Sequence, residues 1–261
     1  MTPKRVEESP PGTFIKEELE ARGWSQRDLA FILGQTEQQL SPLLSGRRAI
    51  SADMARILGS AFDVSPELFA SLQSKYDISK AKEPDPSVKT RASLQSRFPV
   101  RDMIRRGWIE DAEGSLLEMQ VGEFFEVAND DIKMPAFAAK RTHYQDTSPV
   151  QLAWVFRVRQ LARLKDTPAF SEQKLRDRLS ELRHLMIHPE AVTEALDILD
   201  ECGVRVVIVE ALPGAKIDGV CTWLDNDTPV IGLSALYDRL DNFWFVLRHE
   251  IEHILNGDGK D

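Results

Sequence analysis

The end of the chain carries two histidines and a glutamate whose spacing suits metal chemistry. His249, Glu250 and His253 form the pattern HExxH inside an apolar stretch, Phe243 to Leu255. Histidines four residues apart share one helix face, so both imidazoles reach a single divalent ion while Glu250 lies beside it. The pattern therefore predicts a Zn²⁺ site in which Glu250 is the catalytic base of a hydrolase.

The residues around this motif favour a helix. Asp241 predicts its N-cap, Gly257 predicts its end, and one broad side between them is apolar. Such a helix is buried, and buried histidines need polar partners. A core helix whose histidines bond to backbone carbonyls is the competing interpretation. It leaves the position of Glu250 unexplained, so the metal interpretation is preferred.

A third metal ligand is harder to identify. Catalytic zinc normally has three protein ligands and a water, and the extended pattern HExxHxxGxxH would place the third at Gly259. The carboxylates nearby are those of Asp258 and Asp261. Three possibilities stay open: Asp258 is the ligand, the ligand comes from elsewhere, or the domain continues beyond this sequence.

The composition is that of a globular protein with room for two units. The chain has 261 residues, of which 42% are hydrophobic and 29% charged. A net charge of −9 argues against indiscriminate coating of nucleic acid but permits a local DNA-reading surface. No apolar run reaches membrane-spanning length, and the N-terminus lacks the apolar core of a signal peptide, so we expect a cytoplasmic protein. Cys202 and Cys221 are too few for a disulfide framework.

The first 76 residues predict five short helices. Caps and glycines place the first four at 14–21, 26–33, 37–44 and 51–62, and Ser65-Pro66 opens the fifth. The short turn at Gly34 between the second and third is typical of a helix-turn-helix, whose second helix enters the major groove. The alternative is a helical protein-interaction module.

This part of the chain resembles the HigA-type antitoxins, helix-turn-helix proteins of the Xre/Cro type that repress their own toxin–antitoxin operons. The resemblance covers residues 11–78 and rests on GWSQRDLAFILG, LLSGRRAIS and SPELFASLQSKYD. It implies that Gln26 braces a phosphate and that Arg47 and Arg48 hold the DNA backbone. It also implies four side chains that face base edges: Thr36, Glu37, Gln38 and Gln39. Glutamines that read adenine and arginines beside the groove agree with that assignment.

Three features depart from a strongly basic DNA-binding unit. Between Thr13 and Tyr76, seven Lys or Arg residues stand against eight Asp or Glu residues. Glu37 can accept from cytosine but repels phosphate. Pro42 deletes one backbone hydrogen bond of the third helix.

The remainder predicts a linker and then an α+β unit. Residues 79–97 are rich in Lys, Pro and Ser and predict a semi-extended linker. Helices follow at 100–106, 116–125, 150–165, 172–186 and 190–201. Strands at 204–209, 219–224 and 228–233 predict a small antiparallel sheet before the metal helix. The expected fold is mainly α and α+β overall.

Residues 98–261 resemble the ImmA/IrrE family of zincin-like metallopeptidases. The likeness rests on FPVRDMIRRGWI, GVRVVIVEALPGAKIDG, PVIGLS and DNFWFVLRHEIEHIL. It implies that His249 and His253 bind Zn²⁺ and that Glu250 is the general base. The family's third ligand is an acidic residue well downstream, so the resemblance implies a domain truncated at its C-terminus.

Two functional hypotheses follow. In the first, the protein is an antitoxin-type autorepressor that binds operator DNA as a homodimer, with a cognate toxin as its partner. In the second, it is a zinc metallopeptidase that cleaves a regulator protein and uses the helix-turn-helix for targeting. The first is preferred because its module is complete. A second histidine pair, His184 and His188, lacks the accompanying carboxylate and is assigned to the surface.

Overall fold

The computed structural model describes residues 8–127, 147–188, 190–234 and 240–260, and the chain divides into two compact units, Met1–Pro84 and Asp85–Asp261. The helices of the first unit are α1 Pro11–Arg22, α2 Gln26–Ile32, α3 Glu37–Leu44, α4 Ala52–Phe62 and α5 Pro66–Lys80. They confirm the five predicted helices, although α1 begins at Pro11 rather than at Phe14.

Side-chain caps set the start of several of these helices. Ser25 accepts a hydrogen bond from the backbone N–H of Asp28, and Ser51 accepts one from that of Met54. Gly23, at φ +66°, ends α1 in the left-handed conformation that favours glycine. The inward apolar side chains form one core, which includes Ile15, Leu29, Leu40, Leu58, Phe62 and Phe69.

Helix α1 approaches the end of α3 very closely. A Cβ atom at Gly12 would lie 2.6 Å from the carbonyl oxygen of Leu43 and closer still to that of Leu44. Real Cβ atoms do not come so near to backbone oxygen, so the contact requires glycine. Helix α3 is thereby held in the core at its C-terminal end.

The second unit combines helices with a small sheet. Its helices are α6 Pro86–Gln95, α7 Val100–Arg105, α8 Gly114–Phe124, α9 Pro149–Arg163, α10 Glu172–Leu185, α11 Val192–Glu201 and α12 Leu240–Asn256. Its strands are β1 Arg205–Ile208, β2 Gly219–Trp223 and β3 Pro229–Leu233. The predicted α+β class is confirmed. Among the described residues, no helix is long and apolar enough to cross a membrane.

The predicted linker at 79–97 is wrong over most of its length. Residues 86–95 form α6, with Asp85 as N-cap accepting from the backbone N–H of Ser87 at 2.8 Å. Pro86 occupies the first turn, where a missing N–H costs nothing. Leu94 is fully buried in the core beneath, so the segment folds by packing that its polar composition does not reveal.

The predicted antiparallel pairing is confirmed for β2 and β3 but is wrong for β1, so the sheet is mixed. Its strand order is β1-β3-β2, with β1 parallel to β3 and β2 antiparallel to β3. Every residue of β3 is buried, whereas Ile208 of β1 is half-exposed. The most apolar strand therefore takes the centre, and β1 becomes an edge.

Helix α12 packs on β2 and β3 and closes the core. Its buried side chains are those of Trp244, Val246, Leu247, Glu250, Ile251 and Ile254. The predicted N-cap at Asp241 is wrong, because the helix already begins at Leu240 and Asp241 lies in its first turn.

Candidate functional sites

The turn between α2 and α3 is tight and carries its own backbone hydrogen bonds. Gly34 has φ +63° and donates to the carbonyl of Phe31, and Gln35 donates to that of Ala30. This pattern satisfies carbonyls at the end of α2 and turns the chain at once into α3. The predicted helix-turn-helix geometry is present.

Two of the four side chains predicted to face bases form the cap of α3. Thr36 Oγ1 accepts from the backbone N–H of Gln39 at 3.3 Å, and Gln39 Oε1 accepts from that of Thr36 at 2.9 Å. This reciprocal pair is a capping box. Both side chains are exposed, but their oxygens are engaged within the protein.

Glu37 has a partner that the sequence did not suggest. The guanidinium of Arg27 on α2 lies 3.1 Å from its carboxylate, and both side chains are largely exposed. Surface ion pairs of this kind contribute about 0–1 kcal/mol to stability. The pair nevertheless places a cation beside the carboxylate that would otherwise repel phosphate.

Three predicted DNA contacts have side chains that make no hydrogen bond within the described residues: Gln26, Gln38 and Arg48. All three are exposed. Arg47 is exposed as well, and its Nε donates to Ser45 Oγ at 3.0 Å.

Pro42 lies inside α3, which continues through it to Leu44. Because proline has no N–H, the carbonyl of Gln38 receives no helical bond from residue 42. The carbonyl of Pro42 itself accepts from the backbone N–H of Arg48 at 3.0 Å.

The imidazoles of the HExxH motif lie next to each other, with His249 exposed and His253 half-buried. His249 Nε2 and His253 Nε2 are 3.1 Å apart, and the ring centroids are 4.5 Å apart. Two nitrogens bound to one tetrahedral zinc at about 2.05 Å each would be separated by about 3.3 Å. The spacing of these two donors therefore fits a divalent metal.

Glu250 faces the sheet instead of the solvent and is only 6% exposed. Burial raises the pKa of its carboxyl to about 7, although His253 and the backbone N–H of Cys221 favour the charged form. A Cβ atom at Gly219 of β2 would lie 2.9 Å from Glu250 Oε1 and closer still to Val246. Only glycine leaves room for this carboxylate.

Asp258 lies on the opposite side of the His253 ring from His249. Its Oδ2 is 2.7 Å from His253 Nδ1, whereas the two Nε2 atoms face each other. The prediction that Asp258 is the third ligand does not agree with this placement. Among the described residues, no three His, Cys, Asp or Glu side chains form a group that could hold a metal. Asp261 lies outside the described residues.

His184 and His188, the two cysteines and Trp223 lie outside the HExxH motif. His184 and His188 are exposed, as the surface assignment predicts. Cys202 and Cys221 are free and buried, and burial raises the pKa of the Cys221 thiol to about 12. Trp223 is buried, and its indole N–H donates to the carbonyl of Asp258 at 2.9 Å, a contact that no sequence pattern indicates.

Comparison with known proteins supports the first of the two sites. Residues 15–69 match the helix-turn-helix family. Virulence-associated protein A′ of Dichelobacter nodosus is similar to this chain, with 41% identity over 85 residues that cover 32% of the chain and 74% of that protein. No solved structure matches. Neither match supports the resemblance of residues 98–261 to the ImmA/IrrE family, so that resemblance stays a prediction.

Proposed function

Since the chain belongs to the family of virulence-associated protein A′ and carries a DNA-binding helix-turn-helix domain at residues 15–69, we propose that it is an antitoxin-type autorepressor. In this proposal it binds the operator of its own toxin–antitoxin operon and adds a metal-binding C-terminal unit. The observation that carries the proposal is the exposed start of α3 next to the turn at Gly34, with Gln38 unengaged within the described residues.

Each exposed side chain has a task in this proposal. Gln38 pairs with the N6 and N7 atoms of an adenine, which a glutamine recognises with two hydrogen bonds. Arg47 and Arg48 follow α3 and bind phosphates, and Gln26 at the start of α2 braces another. Arg27 screens the Glu37 carboxylate from the DNA backbone. Thr36 and Gln39 mainly stabilise the first turn of α3 through the capping box.

A direct test compares the duplex upstream of the gene with a scrambled duplex of equal length at about 0.15 M salt, near the physiological value. We expect clear preference for the upstream duplex, measured by fluorescence anisotropy. Equal affinity for both duplexes would refute the autorepressor. Gln38→Ala should reduce the ratio of the two affinities. Lys75→Ala, which changes an exposed residue of α5, is the control and should leave that ratio unchanged.

The proposed partners follow from this role. A palindromic operator requires two recognition helices, so we propose a homodimer, which sedimentation analysis with and without the duplex would test. A toxin encoded beside this gene should arrest growth when expressed alone. Coexpression of this chain should restore growth, and failure to do so would remove the antitoxin role.

Zinc-dependent peptidase activity is the second candidate, and the converging Nε2 atoms of His249 and His253 favour it. When bound there, Zn²⁺ would supply a Lewis acid that polarises a peptide carbonyl. Glu250, with its raised pKa, would accept and return a proton. The described residues supply two of the three usual ligands, so this candidate ranks below DNA binding.

The metal content of the purified protein tests this second candidate. We expect one equivalent of zinc by mass spectrometry, and its loss in a His249→Ala/His253→Ala variant. His184→Ala/His188→Ala is the matched control, because it removes an exposed pair with the same sequence spacing. Glu250→Gln should retain zinc and abolish cleavage of a candidate regulator protein. Zinc uptake without any cleavage by the unchanged protein would leave a metal-binding unit and reject the peptidase.

A further inference from the structure

The residues that follow α12 fold back onto the helix and the sheet. This C-terminal turn, residues 257–260, contains Gly257 at φ +72° and Gly259 at φ +76°. Gly257 donates to the carbonyl of Ile254, and Asp258 donates to the carbonyl of His253 at 2.9 Å. Two glycines in left-handed conformations reverse the chain within a few residues of the second histidine.

Asp258 is held in this turn from two sides. Its backbone N–H and its carboxylate both contact His253, at the carbonyl and at Nδ1. Its own carbonyl accepts from the indole N–H of Trp223 at the end of β2, at 2.9 Å. The ammonium of Lys260 lies 4.2 Å from the centre of the Trp223 ring and adds a cation–π contact. Contacts with both the helix and the sheet therefore locate this carboxylate.

The contact at Nδ1 favours one of the two neutral tautomers of His253. A carboxylate accepts a hydrogen bond, so it favours the tautomer with a proton on Nδ1 and a lone pair on Nε2. That lone pair points toward His249 Nε2, so the two nitrogens that would bind the metal lie next to each other. Carboxylates bonded in this manner fix the tautomer and the ring orientation of ligating histidines.

We propose that Asp258 is a positioning residue that prepares His253 to bind a metal ion, and that Trp223 anchors Asp258 in this role. The proposal rests on the metal site of the second candidate function. It replaces direct coordination by Asp258 with an indirect action through the imidazole.

The first test needs no metal. The nitrogen shifts of ¹⁵N-labelled histidines report the tautomer of each ring in the metal-free protein, with His253 assigned by its replacement with glutamine. We expect His253 to be protonated at Nδ1, and Asp258→Ala to move much of the population to the Nε2-protonated form. Asp197→Ala, which removes an exposed carboxylate of α11, should change nothing. An unchanged tautomer in Asp258→Ala would overturn the proposal.

The second test is a titration with Co²⁺ followed by visible absorption. Asp258→Ala should weaken binding by about ten- to a hundredfold, as loss of such an outer carboxylate typically does, without changing the absorption band. The Co²⁺ affinity of Asp258→Asn should lie between those of the unchanged protein and of Asp258→Ala. Trp223→Phe should lower the affinity less than Asp258→Ala does. A shifted band in Asp258→Ala would make Asp258 a direct ligand and overturn the proposal, as would unchanged affinity.

The two tests also separate this proposal from the metal site on which it depends. If the unchanged protein binds no Co²⁺ although its tautomer depends on Asp258, the metal site itself fails and the positioning role fails with it. If the protein binds Co²⁺ but Asp258→Ala leaves the tautomer and the affinity unchanged, only the role of Asp258 fails.

Discussion

Helices α3 and α12 both carry candidate functional side chains, but different parts of the chain fix those side chains. At α3, Thr36 and Gln39 bond to each other across three residues of sequence. At α12, Glu250 is enclosed by Gly219 and Cys221 of β2, and Asp258 is bonded by Trp223 of the same strand. A site built from neighbours in sequence depends on local propensity, whereas the second site exists only once the sheet has formed.

The largest loss of stability is expected from replacing the glycine that packs against each helix. Gly12→Ala brings a Cβ against the carbonyls at the end of α3, and Gly219→Ala brings one against Val246 and Glu250. Each change should lower the free energy of unfolding of its unit by about 1–3 kcal/mol, because the core has no room to adjust. Thermal unfolding measures both. Ser74→Ala, an exposed change on α5, should stay within about 0.5 kcal/mol.

These glycine variants sharpen the comparison between the helices. Should Gly12→Ala have no effect while Gly219→Ala destabilises, α3 depends on local contacts alone. If neither variant changes the free energy of unfolding, the close contacts at the two positions do not require glycine.

Loss of Arg47 and Arg48 should affect DNA binding without affecting stability. Replacing both with alanine removes two proposed phosphate contacts, so the slope of log affinity against log salt should fall by about 2. Anisotropy titrations between about 50 and 200 mM salt measure the slope. The control is Lys75→Ala. An unchanged slope would show that these arginines do not contact phosphate.

Thr36→Ala tests how far the cap supports α3. Removing the capping oxygen should lower the free energy of unfolding by about 1 kcal/mol, since the N–H of Gln39 then has only the backbone carbonyl of Thr36 as an acceptor. Thr36→Ser retains the oxygen and should recover most of the loss in a urea titration. If Thr36→Ala abolishes operator preference at unchanged stability, Thr36 acts as a base contact instead of a cap.

The smallest effect is expected from Glu37→Gln. The exposed pair with Arg27 contributes about 0–1 kcal/mol, so the free energy of unfolding should fall by no more than about 1 kcal/mol. Affinity for DNA should rise severalfold, because a negative charge near the phosphates is removed. Glu67→Gln at the start of α5 is the control. A fall in operator affinity would instead identify Glu37 as a reader of cytosine.

Local signals predicted the first unit well. Caps and glycines predict its first four helices, and the structure has Ser25, Thr36 and Ser51 as N-caps and Gly23 at the end of α1. The ion pair of Arg27 with Glu37 was missed, because it joins two helices across ten residues of sequence.

The second unit shows what a single sequence leaves open. Strand positions were predicted, but strand order depends on which strand is buried on both faces, and the central place of β3 appears only in the fold. The polar composition around Asp85-Pro86 predicts a linker, although an Asp followed by Pro also starts a helix. The HExxH spacing predicted the convergence of the imidazoles, whereas the side of the ring that Asp258 contacts depends on the C-terminal turn.

The proline within α3 has a consequence for how that helix keeps its shape. Pro42 removes one hydrogen bond from a helix of only eight residues, so α3 depends on its cap and on the buried side chains of Leu40, Leu43 and Leu44. The exposed face of α3 is therefore available to a partner only while the unit is folded.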